Sequence, residues 1–120
     1  MQPVADAVTA VMTAERTAEG ATGTACFSAD LPVLAGHFPG SPLIPGVHVL
    51  ALIAEVARRS GAVQGEVTGI ARAKWSAMVL PGDNLTVAVT IKTGANSTVL
   101  DGTVTKADGV VAATARLRLS

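Results

Sequence analysis

One segment limits the folds open to this chain. Residues Pro45 to Arg59, "PGVHVLALIAEVARR", form the strongest helix signal in the sequence. Val47, Val49, Leu50, Leu52, Ile53 and Val56 nearly encircle it at about 100° per residue. A helix apolar on almost every side needs other elements to cover most of its surface. Its ends are marked as well. Pro45 suits the first turn, where its missing N–H leaves nothing unsatisfied. Arg58 and Arg59 set cations at the negative end of the helix dipole, and Gly61 is a natural terminator. The polar exceptions are His48, Glu55, Arg58 and Arg59. His48, Ala51, Glu55 and Arg59 share one stripe at i, i+3, i+7 and i+11.

The cover is expected from strands. Before the helix, "VADAVTAVMTAE" (with Val4, Ala7, Val8 and Val11) and "ATGTACFSAD" read as two strands, with a turn at Glu19-Gly20. After it the pattern changes to period two. "VTGIARAKWSAMVL" reads as a long strand and "PGDN" at 81–84 as a turn, Asp83 being a turn residue. In "NLTVAVTIKT", Leu85, Val87, Val89 and Ile91 face one way. "STVLDGTVTK" continues the meander to a hairpin at Asp108-Gly109. In "VVAATARLRLS", Val111, Ala113, Ala115, Leu117 and Leu119 share a face. Two strands, one buried helix and about four antiparallel strands make an α+β fold in which a sheet curls round a single helix. The length, 120 residues, is that of one domain, taken as 1–120.

Composition narrows the function. Nine basic and nine acidic side chains cancel, so no strong field draws nucleic acid or an anionic membrane. Two Phe, one Trp and no Tyr leave little for base stacking. Hydrophobic residues are 49% of the chain, which suggests an oligomer that hides a further face. The single cysteine, Cys26, rules out an internal disulfide, offers no metal cluster, and reads as a small buried hydrophobe. Phe27 and Trp75 read as core or interface residues. No phosphate-binding glycine loop and no Ser–His–Asp pattern is present, so no cofactor and no metal is expected. The apolar run at 43–54 is too short to span a bilayer and is interrupted by Pro45 and His48. "MQPVADAVTA" has no basic region followed by an apolar one, so a cytoplasmic protein is expected.

The stretch "HFPGSPLIPGV", with one His, three Pro and two Gly at fixed spacing, resembles the signature of the beta-hydroxyacyl-ACP dehydratases of fatty-acid synthesis, of FabZ and FabA type. "ARAKWSAMVLPGDNLTVAV" resembles that family's strand–PGD–strand segment, and the likeness runs from about Val4 to Leu119. It implies the hotdog fold, an antiparallel sheet wrapped around one long central helix. It also implies a dimer whose acyl site lies between subunits. The family's catalytic histidine falls on His37. The glycine that opens the helix falls on Gly46, whose backbone N–H polarises the thioester carbonyl. The family's acid, Glu or Asp fourteen residues after the histidine, falls on Ala51, which carries no proton. The family often has Gln four residues further on, where this chain has Glu55.

Each role has a chemical reason. Dehydrating a 3-hydroxyacyl thioester removes an α proton and expels the β hydroxyl. Imidazole suits the first step because it titrates near neutrality. A helix N-terminus gives free N–H donors and a positive dipole end to the developing enolate. Hydroxide leaves poorly without a proton donor. Glu55 and His48, about one turn to either side of Ala51, are the candidates to replace the acid; Glu55 also has ordinary ion-pair partners at i+3 and i+4 in Arg58 and Arg59. Phe38, Pro39, Gly40, Val47, His48 and Ala51 complete the candidate substrate-binding set. The leading reading is a dehydratase or hydratase variant acting on an acyl carrier protein or coenzyme A thioester. The alternatives are a non-catalytic acyl-binding subunit, partnered in a hetero-oligomer by an acid-bearing paralogue, and an acyl thioesterase.

Overall fold

The computed structural model describes residues 10–28 and 46–119. Among these residues six strands and one full helix follow in the order β1 (Val11–Arg16), β2 (Gly20–Ala25), α1 (Gly46–Arg59), β3 (Val67–Trp75), β4 (Leu85–Thr93), β5 (Thr98–Lys106) and β6 (Val111–Leu119). The strands form one sheet in the order β1-β2-β4-β5-β6-β3, antiparallel at every pairing. The helix touches all six strands, β3 least. This is the hotdog architecture that the sequence led us to expect.

Most of the helix is buried, as its composition requires, though Val47 is exposed. Val49, Leu50, Leu52, Ile53, Ala54, Val56 and Ala57 are all buried, and His48 and Glu55 with them. Each fully buried Leu, Ile or Val contributes about 1.5–3 kcal/mol of transfer free energy. The sheet answers with Leu85, Val87, Val89, Leu100, Val104, Ala115, Leu117 and Leu119, and Phe27 is fully buried after β2. Gly102 lets β5 approach the helix. A Cβ there would lie 2.6 Å from Ile53 Cδ1, so any side chain would force the Ile53 side chain to shift. The helix stops where expected. Ser60 N–H donates to Val56 O at 3.0 Å, and Gly61 takes the left-handed conformation, φ 83°.

The strand expectations hold in number and type, with local corrections. The first strand begins at Val11, and Val4, Ala7 and Val8 lie outside the described residues. β3 ends at Trp75 instead of running through Leu80. The N–H groups of Ser76 and Ala77 both turn onto the Ala112 carbonyl, at 2.8 and 3.2 Å. Ala112 is also where β6 bulges: Val104 faces Ala113, but Thr105 faces Val111. The extra residue brings Ala112 and Ala113 both inward and turns Val111 out, at 39% exposure. Val111 therefore leaves the face shared by Ala113, Ala115, Leu117 and Leu119. Cys26 is only half-buried. Asp83 does act as a turn residue, accepting Leu80 N–H at 2.8 Å and pairing with Lys106 at 3.4 Å. The Asp108-Gly109 hairpin closes through Lys106 N–H to Val110 O at 2.8 Å, with Gly109 at φ 89°.

Candidate functional site

The helix begins at Gly46, so the first N–H groups of α1 have no partner within the helix. Trp75, at the end of β3, lies over this end. Its indole N–H donates to the Gly46 carbonyl at 3.1 Å. A Cβ on residue 46 would lie 2.6 Å from the indole ring, so only glycine fits beneath it. Trp75 is thus a half-exposed wall of the helix start, at 51% exposure, and not a core residue.

Two cavities flank this point. The first, about 600 Å³, is lined by Gly46, Val47 and Leu50 of the helix and by Ile70, Trp75 and Met78 on the β3 side. The second, about 760 Å³, lies further along the helix, between its outward face and the start of β3. Val47, Leu50 and Ile70 line both. Beyond them the second cavity is apolar at Ala51, Ala54 and Leu117 and becomes polar at Glu55, Arg58 and Glu66.

The residues singled out from sequence divide accordingly. Gly46 and Val47 line the first cavity, and Val47, Ala51 and Glu55 line the second. Glu55 lines the second cavity and makes the ion pairs that its i+3 and i+4 neighbours offer. Its carboxylate oxygens lie 3.5 Å from Arg58 Nη2 and 3.3 Å from Arg59 Nη2. Arg59 also donates to the Val11 carbonyl at 2.6 Å, tying the helix end to β1. His48 is buried at 4% exposure but lines neither cavity. The helical repeat explains this: His48 lies about 100° from Val47 and 60° from Ala51, on the edge of the stripe that turns toward the sheet. His37, Phe38, Pro39 and Gly40 lie outside the described residues. Sequence reasoning did not identify Ile70, Met78 or Arg58 as cavity residues. Trp75 carried a signal of its own, the only tryptophan in the chain, set six residues before the PGD turn.

The described residues hold no group of His, Cys, Asp and Glu suited to a metal ion, and no helix among them is long and apolar enough to cross a membrane. Polarising donors at a helix start, beside an apolar cavity, suit a carbonyl compound with a hydrocarbon chain. The family model of the ApeI-like proteins, ApeI dehydratase, matches residues 13–116. The chain belongs to the ApeI-like dehydratase family. Among curated relatives of this family member is the 3-hydroxyacyl-[acyl-carrier-protein] dehydratase FabZ of Cereibacter sphaeroides, 34% identical over 85 residues. That match covers 63% of this chain and 55% of the relative's length. Among solved structures, the dehydratase heterocomplex ApeI:P from Xenorhabdus doucetiae superposes with a TM-score of 0.73 at 19% identity, covering 92% of this chain and 96% of that one. A hypothetical thioesterase with coenzyme A from Streptococcus pneumoniae gives 0.70 at 16% identity, covering 98% and 91%. At these identities the two structures speak for the hotdog fold.

Proposed function

We propose that this protein processes an acyl thioester, with its carbonyl at the start of α1 and its chain in the adjoining apolar cavity. Turnover is the dehydration of a 3-hydroxyacyl group, or the reverse hydration, carried by acyl carrier protein or coenzyme A. The observation that carries this reading is the meeting of Gly46 with an apolar cavity bounded by Val47, Leu50 and Ile70. In dehydration His37 takes the α proton, and the N–H groups at the helix start stabilise the enolate oxygen. The β carbon–oxygen bond then breaks, the double bond forms, and the hydroxyl leaves as water once protonated. Ala51 cannot supply that proton. Loss of a general acid costs about 10²–10⁴ in rate.

A second reading is favoured by the placement of Ala51. The family's acid position faces the second cavity with only a methyl group. Among the described residues β3 is bonded to β6 alone, and Val67, Ile70 and Trp75 on it, with Met78 and Leu80 after it, are exposed large apolar side chains. We infer that this edge carries a subunit contact, in a homodimer or with an acid-bearing paralogue. In the second case the chain binds the acyl group and its partner supplies the proton.

The test is turnover of 3-hydroxyacyl-, enoyl- and saturated acyl thioesters by the purified protein, by Ala51→Glu and by Ala51→Glu/His37→Asn. A gain in hydration–dehydration on Ala51→Glu that vanishes in the double variant supports the missing-donor reading. Hydrolysis of saturated thioesters by the wild type moves the assignment to a thioesterase. A well-folded Ala51→Glu protein without gain leaves the acyl-binding subunit as the reading, checked by adding the paralogue.

A further inference from the structure

Gly46 and Trp75 are 29 positions apart, yet they form one unit. The indole N–H holds the Gly46 carbonyl at 3.1 Å, and the ring covers the Cα so closely that no Cβ fits. That carbonyl belongs to the same planar peptide as the Val47 N–H. A donor fixed on the oxygen therefore fixes the direction of an N–H in the first helical turn. It does so without using up that carbonyl's capacity to accept the helical bond, since the oxygen has two lone pairs. The same ring walls the first cavity opposite Val47 and Leu50. Trp75 is half-exposed, at 51%, and so its ring is open to a ligand in that cavity.

We propose that Trp75 is a positioning and specificity residue of this site. It sets the orientation of one helix-start donor, the Val47 N–H next to that of Gly46, through the Gly46 carbonyl, and its indole face forms the wall against which an acyl chain packs. The inference rests on the acyl-thioester reading given above and adds to it a residue with two separable actions. The N–H acts on the rate and the ring face acts on binding.

Trp75 is the only tryptophan, so the emission of the intact protein reports on this site without any variant. Titration with a saturated acyl-CoA thioester should shift its emission to the blue, saturably. Kinetics are then compared in whichever of the wild-type and Ala51→Glu proteins turns over. Trp75→Phe keeps a ring but loses the donor. It should lower kcat about 3- to 10-fold, the worth of one net hydrogen bond, at nearly unchanged KM. Trp75→Ala should in addition raise KM. Gly46→Ala should impair the parent protein severely but cost much less in the Trp75→Ala background, because the clash is gone. A Trp75→Phe protein with full kcat, or a Gly46→Ala defect equal in both backgrounds, overturns the positioning role while the acyl-thioester reading stands. No emission change and no turnover of any thioester overturns the underlying reading and this inference with it.

Discussion

Ile53 and Val56 lie on one side of α1, and Val47 and Ala51 lie on the other. The first pair presses on the sheet. Ile53 sits over Gly102, and Val56 lies 3.1 Å from where a Cβ on Gly23 would be. The second pair borders the cavities beneath β3. One helix thus carries a packed flank, where space is filled to the last methyl group, and an open flank, where it is not. The contrast shows how a small fold divides its labour. Tight packing fixes where the helix sits, and that lets its other side border open space.

The contrast can be broken from the packed side with the largest effect. Ile53→Ala removes a fully buried side chain and should cost about 2–5 kcal/mol in denaturant unfolding. Gly102→Ala overfills the same contact and should cost about 1–3 kcal/mol. The two should be strongly non-additive, since a shortened residue 53 makes room for the new methyl group. Additive losses would mean that Gly102 is not seated under Ile53.

Change on the open flank should behave differently. Ala51→Leu enters the second cavity and should alter stability by no more than about 0.5 kcal/mol. Its effect should instead be a raised KM or weakened binding for long acyl thioesters, read by titration. A loss of 2 kcal/mol or more, as on the packed flank, would erase the distinction between the two sides.

The smallest effect is expected on the far face of the sheet. Asp101 and Arg116 are cross-strand partners with an Nε–Oδ1 distance of 2.8 Å. The hydrogen bond from Arg116, and then its charge, hold the Asp101 carboxyl below the usual carboxylate range. A lowered native pKa stabilises the fold above the unfolded value, near 3.9, and the contribution fades as pH falls through the native value. Asp101→Asn should therefore lower stability slightly at neutral pH. The gap from the wild type should close below about pH 4. A gap that widened in acid would reverse the assigned sign.

Much of this was legible because patterns of hydrophobicity are local. The all-round apolar helix demanded a wrapping sheet, and the ends of α1, the PGD turn and the Asp108-Gly109 hairpin were written in residues whose backbone preferences act at short range. The bulge at Ala112 was not legible. Ala, Val and Thr fit either face of a strand, and a single extra residue changes which face is buried without leaving a mark in composition. That bulge ended β3 at Trp75 and turned Val111 outward.

The sequence by itself determined that a helix would be enclosed by antiparallel strands and that its signature would resemble a dehydratase. The tertiary structure alone decided what surrounds that helix. His48 and Ala51 are three residues apart, yet one is buried away from the cavities and the other lines one of them. Trp75 and Gly46 are 29 positions apart, yet they touch. Helical phase sorts neighbours in the chain onto different faces, and strand pairing brings distant residues to one point. Neither has an outcome until the sheet has closed around the helix.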